Sequence, residues 1–420
     1  VNAIETANEI EKVILVNVQT RQSDDLFTYE LEELTRLTET AQGEVVAVLT
    51  QKRDSHDSKT LIGKGKMEEL VHLVEEFQPS TIIFEQQLSP RHMRNIQEQI
   101  DCKIIDRIQL ILDIFAMRAQ SKEGKLQVSL AQLNYLLPRL SGQGVNMSRL
   151  GGGIGTRGPG ETKLETDRRH ISRQITEIKK SLAETEEHRR RSREKRQESH
   201  VFQIGLIGYT NAGKSTLLNR LTDADTCEEN LLFATLDPLT RKMTLPNQFQ
   251  ATLTDTVGFV QNLPTQLVHA FKSTLEESKV VDLLLHVVDC SQEFVAQQEE
   301  TVMGLIRDLE MEEIPLITVY NKKDQMHPDF VPHLHPNIVI SALDESDMDH
   351  LKDFLWEEIK KLLVPYTKSV SLLDGGTLLS QMQQETFVSS IELDEETNDY
   401  IVSGYAKANS KWLGEINLNE

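Results

Sequence analysis

The run Gly208-Tyr209-Thr210-Asn211-Ala212-Gly213-Lys214-Ser215 stands between an apolar stretch, Val201 to Ile207, and a helix-forming one, Thr216 to Leu221. That order places a strand, a tight glycine turn and a helix N-terminus in immediate succession. Backbone N–H groups of such a turn point inward, and together with the helix dipole they stabilise a bound phosphate. The run therefore reads as a phosphate-binding loop, with Gly208 to Thr216 around a nucleotide's phosphates. Lys214 adds a point charge toward the β- and γ-phosphates, and the Ser215 hydroxyl is placed to bind magnesium.

At 420 residues the chain exceeds one ordinary core, so two to four domains are expected. Hydrophobic content of 38% and charged content of 26% describe a globular protein. A formal net charge of -21 gives no overall attraction to nucleic acid, so any such binding must come from a local basic segment. Cys102, Cys227 and Cys290 are far apart and form no C-x-x-C pattern. That argues against zinc and against a disulfide framework, and leaves buried thiols. Val1 to Glu11 is polar and acidic rather than signal-like, and no run reaches the length of a membrane span. A cytoplasmic location is the expectation.

Four regions follow from the pattern. From 1 to 107, apolar runs (Val13–Val18, Val45–Leu49, Thr81–Phe84, Lys103–Ile105) alternate with helix-period segments (Leu26–Thr40, Lys66–Phe77), as in an α/β domain with a largely parallel sheet. Residues 108–200 read as helical. They are broken at Lys122-Glu123-Gly124-Lys125 and by the Gly-rich stretch Ser141 to Gly160, and they end in the long polar segment Glu161 to His200. Pairing of that segment with Gln127–Leu140 gives a coiled-coil-like hairpin. Residues 201–364 alternate strand and helix through the phosphate loop, and Pro365 marks a boundary. Residues 365–420 carry strand-like runs (Val370–Leu373, Phe387–Leu393, Tyr400–Tyr405) and a helical segment, Leu378–Gln384, as in a small α+β domain.

The base-reading element decides the nucleotide. It is Asn321-Lys322-Lys323-Asp324, after the apolar strand Leu316 to Tyr320. A carboxylate accepts two hydrogen bonds side by side from guanine N1–H and N2–H₂, whereas adenine presents an acceptor at N1 and lacks the amino group. Asp324 is thus the expected GTP-over-ATP discriminator. Asn321 would brace the loop, Lys322 would lay its stem along the base, and Ser341-Ala342-Leu343 would offer backbone N–H donors to guanine O6. Asp255-Thr256-Val257-Gly258-Phe259 ends another strand, with Asp255 toward magnesium and the Gly258 N–H toward the γ-phosphate. Thr235, within Phe233-Ala234-Thr235-Leu236-Asp237, is the candidate first-switch residue, closing over magnesium and γ-phosphate. Lys214, Thr235 and Gly258 are the candidate catalytic groups, and Ser215, Thr235 and Asp255 the candidate metal ligands.

Phe259 stands where many GTPases carry a glutamine that orients the attacking water, so unassisted hydrolysis is expected to be slow. Asn211 is a candidate to help hold a potassium ion supplying positive charge.

These motifs, in the order phosphate loop, Phe-Ala-Thr-Leu-Asp, Asp-Thr-Val-Gly-Phe, Asn-Lys-Lys-Asp and Ser-Ala-Leu, resemble the translation-factor-like GTPases with a hydrophobic residue in place of the catalytic glutamine. The run from Asp255 to Pro264, continuing through Ala270-Phe271 and Thr274 to Glu277, resembles the second switch of the HflX family. So do Gly151 to Arg169, Asp113-Ile114-Phe115-Ala116 and Glu123 to Val128. The resemblance covers about Val13 to at least Val364. It implies a multidomain α/β protein with a P-loop GTPase domain, using GTP/GDP and Mg²⁺. It also implies binding to the large (50S) ribosomal subunit and the 70S ribosome through rRNA, and splitting of stalled or stressed ribosomes. Secondary ATP hydrolysis and, in some members, RNA unwinding also belong to the family.

A local basic feature on this acidic chain fits an RNA partner: Arg157, Lys163, Arg168, Arg169, Arg173 and Arg189 to Arg196. Two other readings stand beside it. One is a signalling switch acting through a protein effector. The other, a GTP-dependent RNA-modifying enzyme, lacks a visible nucleophile or cofactor site. A monomer is expected.

Overall fold

Alternating apolar and helical segments at the start of the chain resolve into a four-stranded parallel sheet whose strands lie in the order Gly43–Lys52, Glu11–Gln19, Thr81–Phe84, Lys103–Asp106. The computed structural model describes residues 11–140, 159–197, 201–222, 232–233, 238–255, 258–260, 279, 281–371, 375–394, 397, 399–408 and 410–413. Its first elements are β1 (Glu11–Gln19), α1 (Asp24–Thr40), β2 (Gly43–Lys52), α2 (Lys64–Phe77), β3 (Thr81–Phe84), α3 (Pro90–Gln97) and β4 (Lys103–Asp106). Val13 to Val18 on β1 are buried throughout, as expected of a strand covered on both faces. The Ser23 hydroxyl accepts from the Leu26 N–H to start α1, with Asp24 and Asp25 in the first turn where they complement the helix dipole.

Helix α3 adds to the alternation, and Ser89 and Pro90 mark its start: Ser89 and His92 form a capping box and Pro90 takes the first helical position. The helical break expected at Lys122-Glu123-Gly124-Lys125 falls earlier. Helix α4 (Arg107–Arg118) ends at Ala119, and α5 (Lys122–Leu140) already contains those four residues. Ser121 supplies the reason, because its hydroxyl accepts from the Gly124 N–H at 2.8 Å and caps α5. Helix α5 packs along α4 and touches α3. Asp113 on α4 accepts from Gln132 on α5 at 3.5 Å. The long polar helix is α6 (Pro159–Gln197), whose described side chains show one less exposed stripe of Ile171, Ile175, Ile178 and Leu182. The Gly-rich stretch lies outside the described residues, apart from its last two positions at the start of α6.

Beyond the carboxyl ends of β3 and β4, Arg107 pairs with Glu85 at 3.3 Å and with Glu33 of α1. Burial pushes the Glu85 carboxyl up to about 8, against the pull of Arg107, and Glu33 and Glu30 push the same way. The fold therefore binds a proton that the unfolded chain releases at its ordinary carboxylate pKa. That contribution is full below about 4.5 and is lost as pH rises through about 8. Amide exchange of β1 and β3 in the whole protein is expected to speed up between these limits relative to a Glu85→Gln variant. An identical pH dependence in the two proteins would contradict the burial argument.

The chain divides into two compact units, with the change at Thr185–Glu186. The second unit begins with β5 (Phe202–Gly208), α7 (Lys214–Thr222), β6 (Leu239–Leu245), β7 (Phe249–Asp255), β8 (Leu283–Asp289), α8 (Val295–Asp308), β9 (Leu316–Asn321), β10 (Asn337–Val339) and α9 (Glu345–Leu362). These strands form one sheet, β10-β9-β8-β5-β7-β6, parallel except where β6 pairs antiparallel with β7. β5, which leads into the phosphate loop, lies between β8 and β7. The loops of Asp255, Asp289 and Asn321 therefore all leave the sheet at its carboxyl edge beside it, where open α/β sheets bind ligands.

An antiparallel sheet, β11-β13-β12, follows: β11 (Val364–Ser371), β12 (Phe387–Asp394) and β13 (Asp399–Ala406), with α10 (Gly375–Glu385) between the first two. The first strand was expected at Val370–Leu373 but begins at Val364, and Pro365 lies inside it. β11 is an edge strand, where a residue without an N–H is tolerated. This sheet is sewn to the parallel one by aromatic packing. Phe387 lies 3.8 Å from Trp356 between ring centroids, with Phe249 and Tyr405 beside it. Lys407 donates to Asp282 at 2.6 Å and to the Val201 carbonyl at 3.0 Å.

Candidate functional site

Three residues of the phosphate loop have the backbone such a turn requires. Gly213 sits at φ +95°, and a Cβ there would fall 2.1 Å from Asn321 Nδ2. At Gly208 a Cβ would fall 2.2 Å from the Val287 carbonyl oxygen, so β5 and β8 approach too closely for any side chain. Asn211 takes φ +61°, a left-handed conformation that asparagine tolerates better than most residues. Lys214 is buried, and its ammonium donates to the carbonyls of Gly208 at 3.0 Å and Tyr209 at 2.8 Å. Burial pulls this group down to about 8, partly offset by the charge of Asp255. A bound phosphate would push it up again. Behind the loop, His286 of β8 is buried, and burial together with the Lys214 charge holds its imidazole down to about 3. No sequence pattern marks that residue.

The Ser215 hydroxyl donates to Asp255 Oδ2 at 2.9 Å. These are two hard oxygen donors side by side at the start of α7, a donor set that suits magnesium completed by phosphate oxygens. Among the described residues no group of three or more His, Cys, Asp or Glu side chains could hold a metal ion by itself. Thr235, Ala234, Thr256 and Val257 lie outside the described residues, so the first-switch assignment has no geometry here. Phe233 is described, and is buried at φ +56°.

The second switch meets the loop through Phe259. Its N–H donates to the Gly208 carbonyl at 3.2 Å, and its carbonyl accepts from the Thr210 N–H at 2.7 Å. Phe259 as a whole is 2% exposed. Gly258 is pressed against the loop, since a Cβ would come within 2.8 Å of Thr210 Cγ2 and 3.0 Å of Lys214 Nζ.

Asn321 ties the base-side loops to the phosphate loop. Its Nδ2 donates to the Ala212 carbonyl and its Oδ1 accepts from the Ala342 N–H, both at 2.9 Å. Ser341 Oγ donates to Asp324 Oδ1 at 2.6 Å, and that bond holds the exposed Asp324 carboxyl below the usual carboxylate range. Of the three N–H groups expected for guanine O6, Ser341's is given to Asp347 at 2.8 Å and Ala342's to Asn321. The Leu343 N–H, with only a 3.4 Å contact to Ser341 Oγ, is the least committed. Lys322 pairs with Asp289 at 2.6 Å, a partner with no motif of its own in the sequence. Cys290 follows it as a buried thiol, pushed up to about 11 by burial and by the Asp289 charge, and so unreactive. Cys102 is only half-buried, and Cys227 lies outside the described residues.

Family models match this chain along most of its length: "GTP-binding GTPase N-terminal" over residues 28–116, "GTP-binding GTPase Middle Region" over 118–196 and "50S ribosome-binding GTPase" over 203–322. The chain is 52% identical to the GTPase HflX of Alkalihalophilus pseudofirmus over 409 residues, covering 97% of this chain and 96% of that one. The chain belongs to the HflX family of GTPases. The HflX protein of Escherichia coli K12 is 42% identical over 372 residues, 87% of each chain. The HflX protein of Caldanaerobacter subterraneus is 44% identical over 414 residues, covering 95% of this chain and 96% of that one. Among solved structures, SsGBP in complex with GDP matches with a TM-score of 0.50 at 26% identity, covering 84% of this chain and 99% of that one. This HflX-family protein is thus a GTPase that binds guanine nucleotide, and its GTPase domain is of the 50S ribosome-binding type. No described helix is long and apolar enough to cross a membrane.

Proposed function

We propose that this GTPase binds the large ribosomal subunit in its GTP form, splits stalled or stressed ribosomes in the cytoplasm, and is released by hydrolysis that the ribosome stimulates. The observation that carries the reading is Phe259. A buried phenylalanine, bonded through its backbone to the phosphate loop, cannot orient an attacking water. At Phe259 the site offers no group to orient that water, and in this reading a partner completes it.

In this reading Gly208 to Thr216 cradle the phosphates, and Lys214 and the Gly258 N–H meet the γ-phosphate. Ser215, Asp255 and Thr235 hold magnesium, which supplies charge neutralisation at the phosphates. Asn211, already left-handed and polar at the loop's tip, is proposed as a potassium ligand. Asp324 reads the guanine edge, Asn321 braces the loop, and the Leu343 N–H serves O6. Arg168 and Arg173 on α6 are exposed, and supply part of the positive charge an rRNA contact needs.

GTP turnover measured with purified 50S or 30S subunits, in potassium and in sodium buffers, tests the reading. Stimulation of about 10²-fold or more by 50S alone is expected, because completing such a site is worth that much or more. Equal turnover with either subunit would overturn the ribosomal assignment, and equal turnover in both salts would overturn the potassium ligand.

A further inference from the structure

Lys322 has a backbone that L-residues adopt only at a cost, φ +64° and ψ +40°. It is held there at its far end, where its ammonium donates to Asp289 Oδ2 at 2.6 Å. Asp289 is the last residue of β8 and pairs in register with Asn321 at the end of β9, so the carboxylate belongs to the neighbouring strand rather than to the base-side loop. Its side chain is 7% exposed and is itself fixed. Oδ1 accepts from the Ser291 N–H at 3.0 Å and the Ser291 hydroxyl at 2.6 Å, and Oδ2 also faces Gln292 Nε2 at 3.4 Å.

A second carboxylate, Asp324, also lies within electrostatic reach of the Lys322 ammonium. Pairing with it would occupy the acceptor oxygens that the guanine edge needs. A free lysine stem also carries much rotamer entropy, and that freedom is lost when the stem is laid along a base.

We propose that Asp289 is a positioning residue for base recognition. It holds the Lys322 ammonium away from Asp324, so that the methylene stem lies ready as one face of the guanine slot. Asp324 then keeps, beside the bonds it accepts from Ser341 Oγ and Gln325 Nε2, its remaining lone pairs for the base edge. This rests on the reading of Asp324 as the base discriminator. Asp289 touches no nucleotide; it acts through Lys322 and is specific to the base side of the site.

A double-mutant cycle on the full-length protein tests it, with GDP dissociation constants for wild type, Asp289→Asn, Lys322→Met and the double variant, plus kcat and KM for GTP. Asp289→Asn is expected to weaken GDP binding about tenfold and raise KM alike, with kcat within about twofold, because a group acting through binding alone changes KM and not kcat. In the Lys322→Met background the same substitution is expected to cost nothing further. Wild-type GDP affinity in Asp289→Asn would overturn the proposal. So would an undiminished loss in the Lys322→Met background, which would mean that Asp289 merely supports the Ser291 turn. An Asp324→Asn arm separates the two layers. If that variant retains strict guanine preference, the base-site reading itself fails. If it switches preference while Asp289→Asn binds as wild type, only the role of Asp289 fails.

Discussion

The Asp324→Asn variant is expected to bind xanthosine diphosphate in preference to GDP. The carboxylate offers two acceptors to the N1–H and N2–H₂ of guanine. An asparagine amide offers one acceptor and one donor, and the donor matches the 2-oxo group of xanthine. Hydrogen bonds to a charged partner contribute about 1.5–3 kcal/mol each, so exchanging the pair swings preference by roughly 10²–10³-fold once solvent exposure at the site is discounted. The geometry is prepared for the change. Ser341 Oγ donates to Asp324 Oδ1, a bond the amide oxygen can keep, so the variant loop should hold its place. Competition of xanthosine and guanosine diphosphates against a fluorescent GDP analogue measures the swing. Unchanged strict use of guanine would mean that the base is read elsewhere.

Lys214→Ala should remove most turnover while leaving the fold intact. In the proposed function the ammonium stabilises charge on the phosphates as the γ-phosphoryl transfers, and removing one such donor costs on the order of 10²–10³-fold in rate. Its burial separates this from a folding defect. The charged group is held at a cost that pulls it down to about 8, so its removal relieves a desolvation penalty rather than breaking a salt bridge. Thermal unfolding close to wild type, with GTP turnover and GDP affinity sharply reduced, is the expected combination. Wild-type turnover would show that the loop does not act on the γ-phosphate.

What was legible in the sequence was what short-range pattern dictates. The phosphate loop needs its glycines for a local turn, and Asn321 to Asp324 follow directly on a strand, so both could be read without knowing the sheet order. Asp289 could not. It meets Lys322 across a sequence separation of 33 only because β8 and β9 are neighbours in register. The same holds for Asn321, whose two amide bonds run to Ala212 and Ala342 and exist only after three loops gather at one sheet edge. One misplaced boundary had a local cause: Gly124 suggests a break, yet the Ser121 cap in front of it lets the helix run through. Pro365 stands one residue into β11, where an edge strand accommodates it. In the sequence, Phe259 shows only that a glutamine is missing. Its backbone bonds to Gly208 and Thr210 add that it is built into the wall of the phosphate site.

In the proposed function GTP controls attachment of this protein to the large ribosomal subunit. Sucrose-gradient sedimentation with purified 50S and 70S particles, in the presence of a non-hydrolysable GTP analogue or GDP, decides it. Co-migration with 50S under the analogue, weaker co-migration with GDP, and conversion of 70S into subunits are predicted. Absence of the protein from the 50S fractions under the analogue would overturn that function.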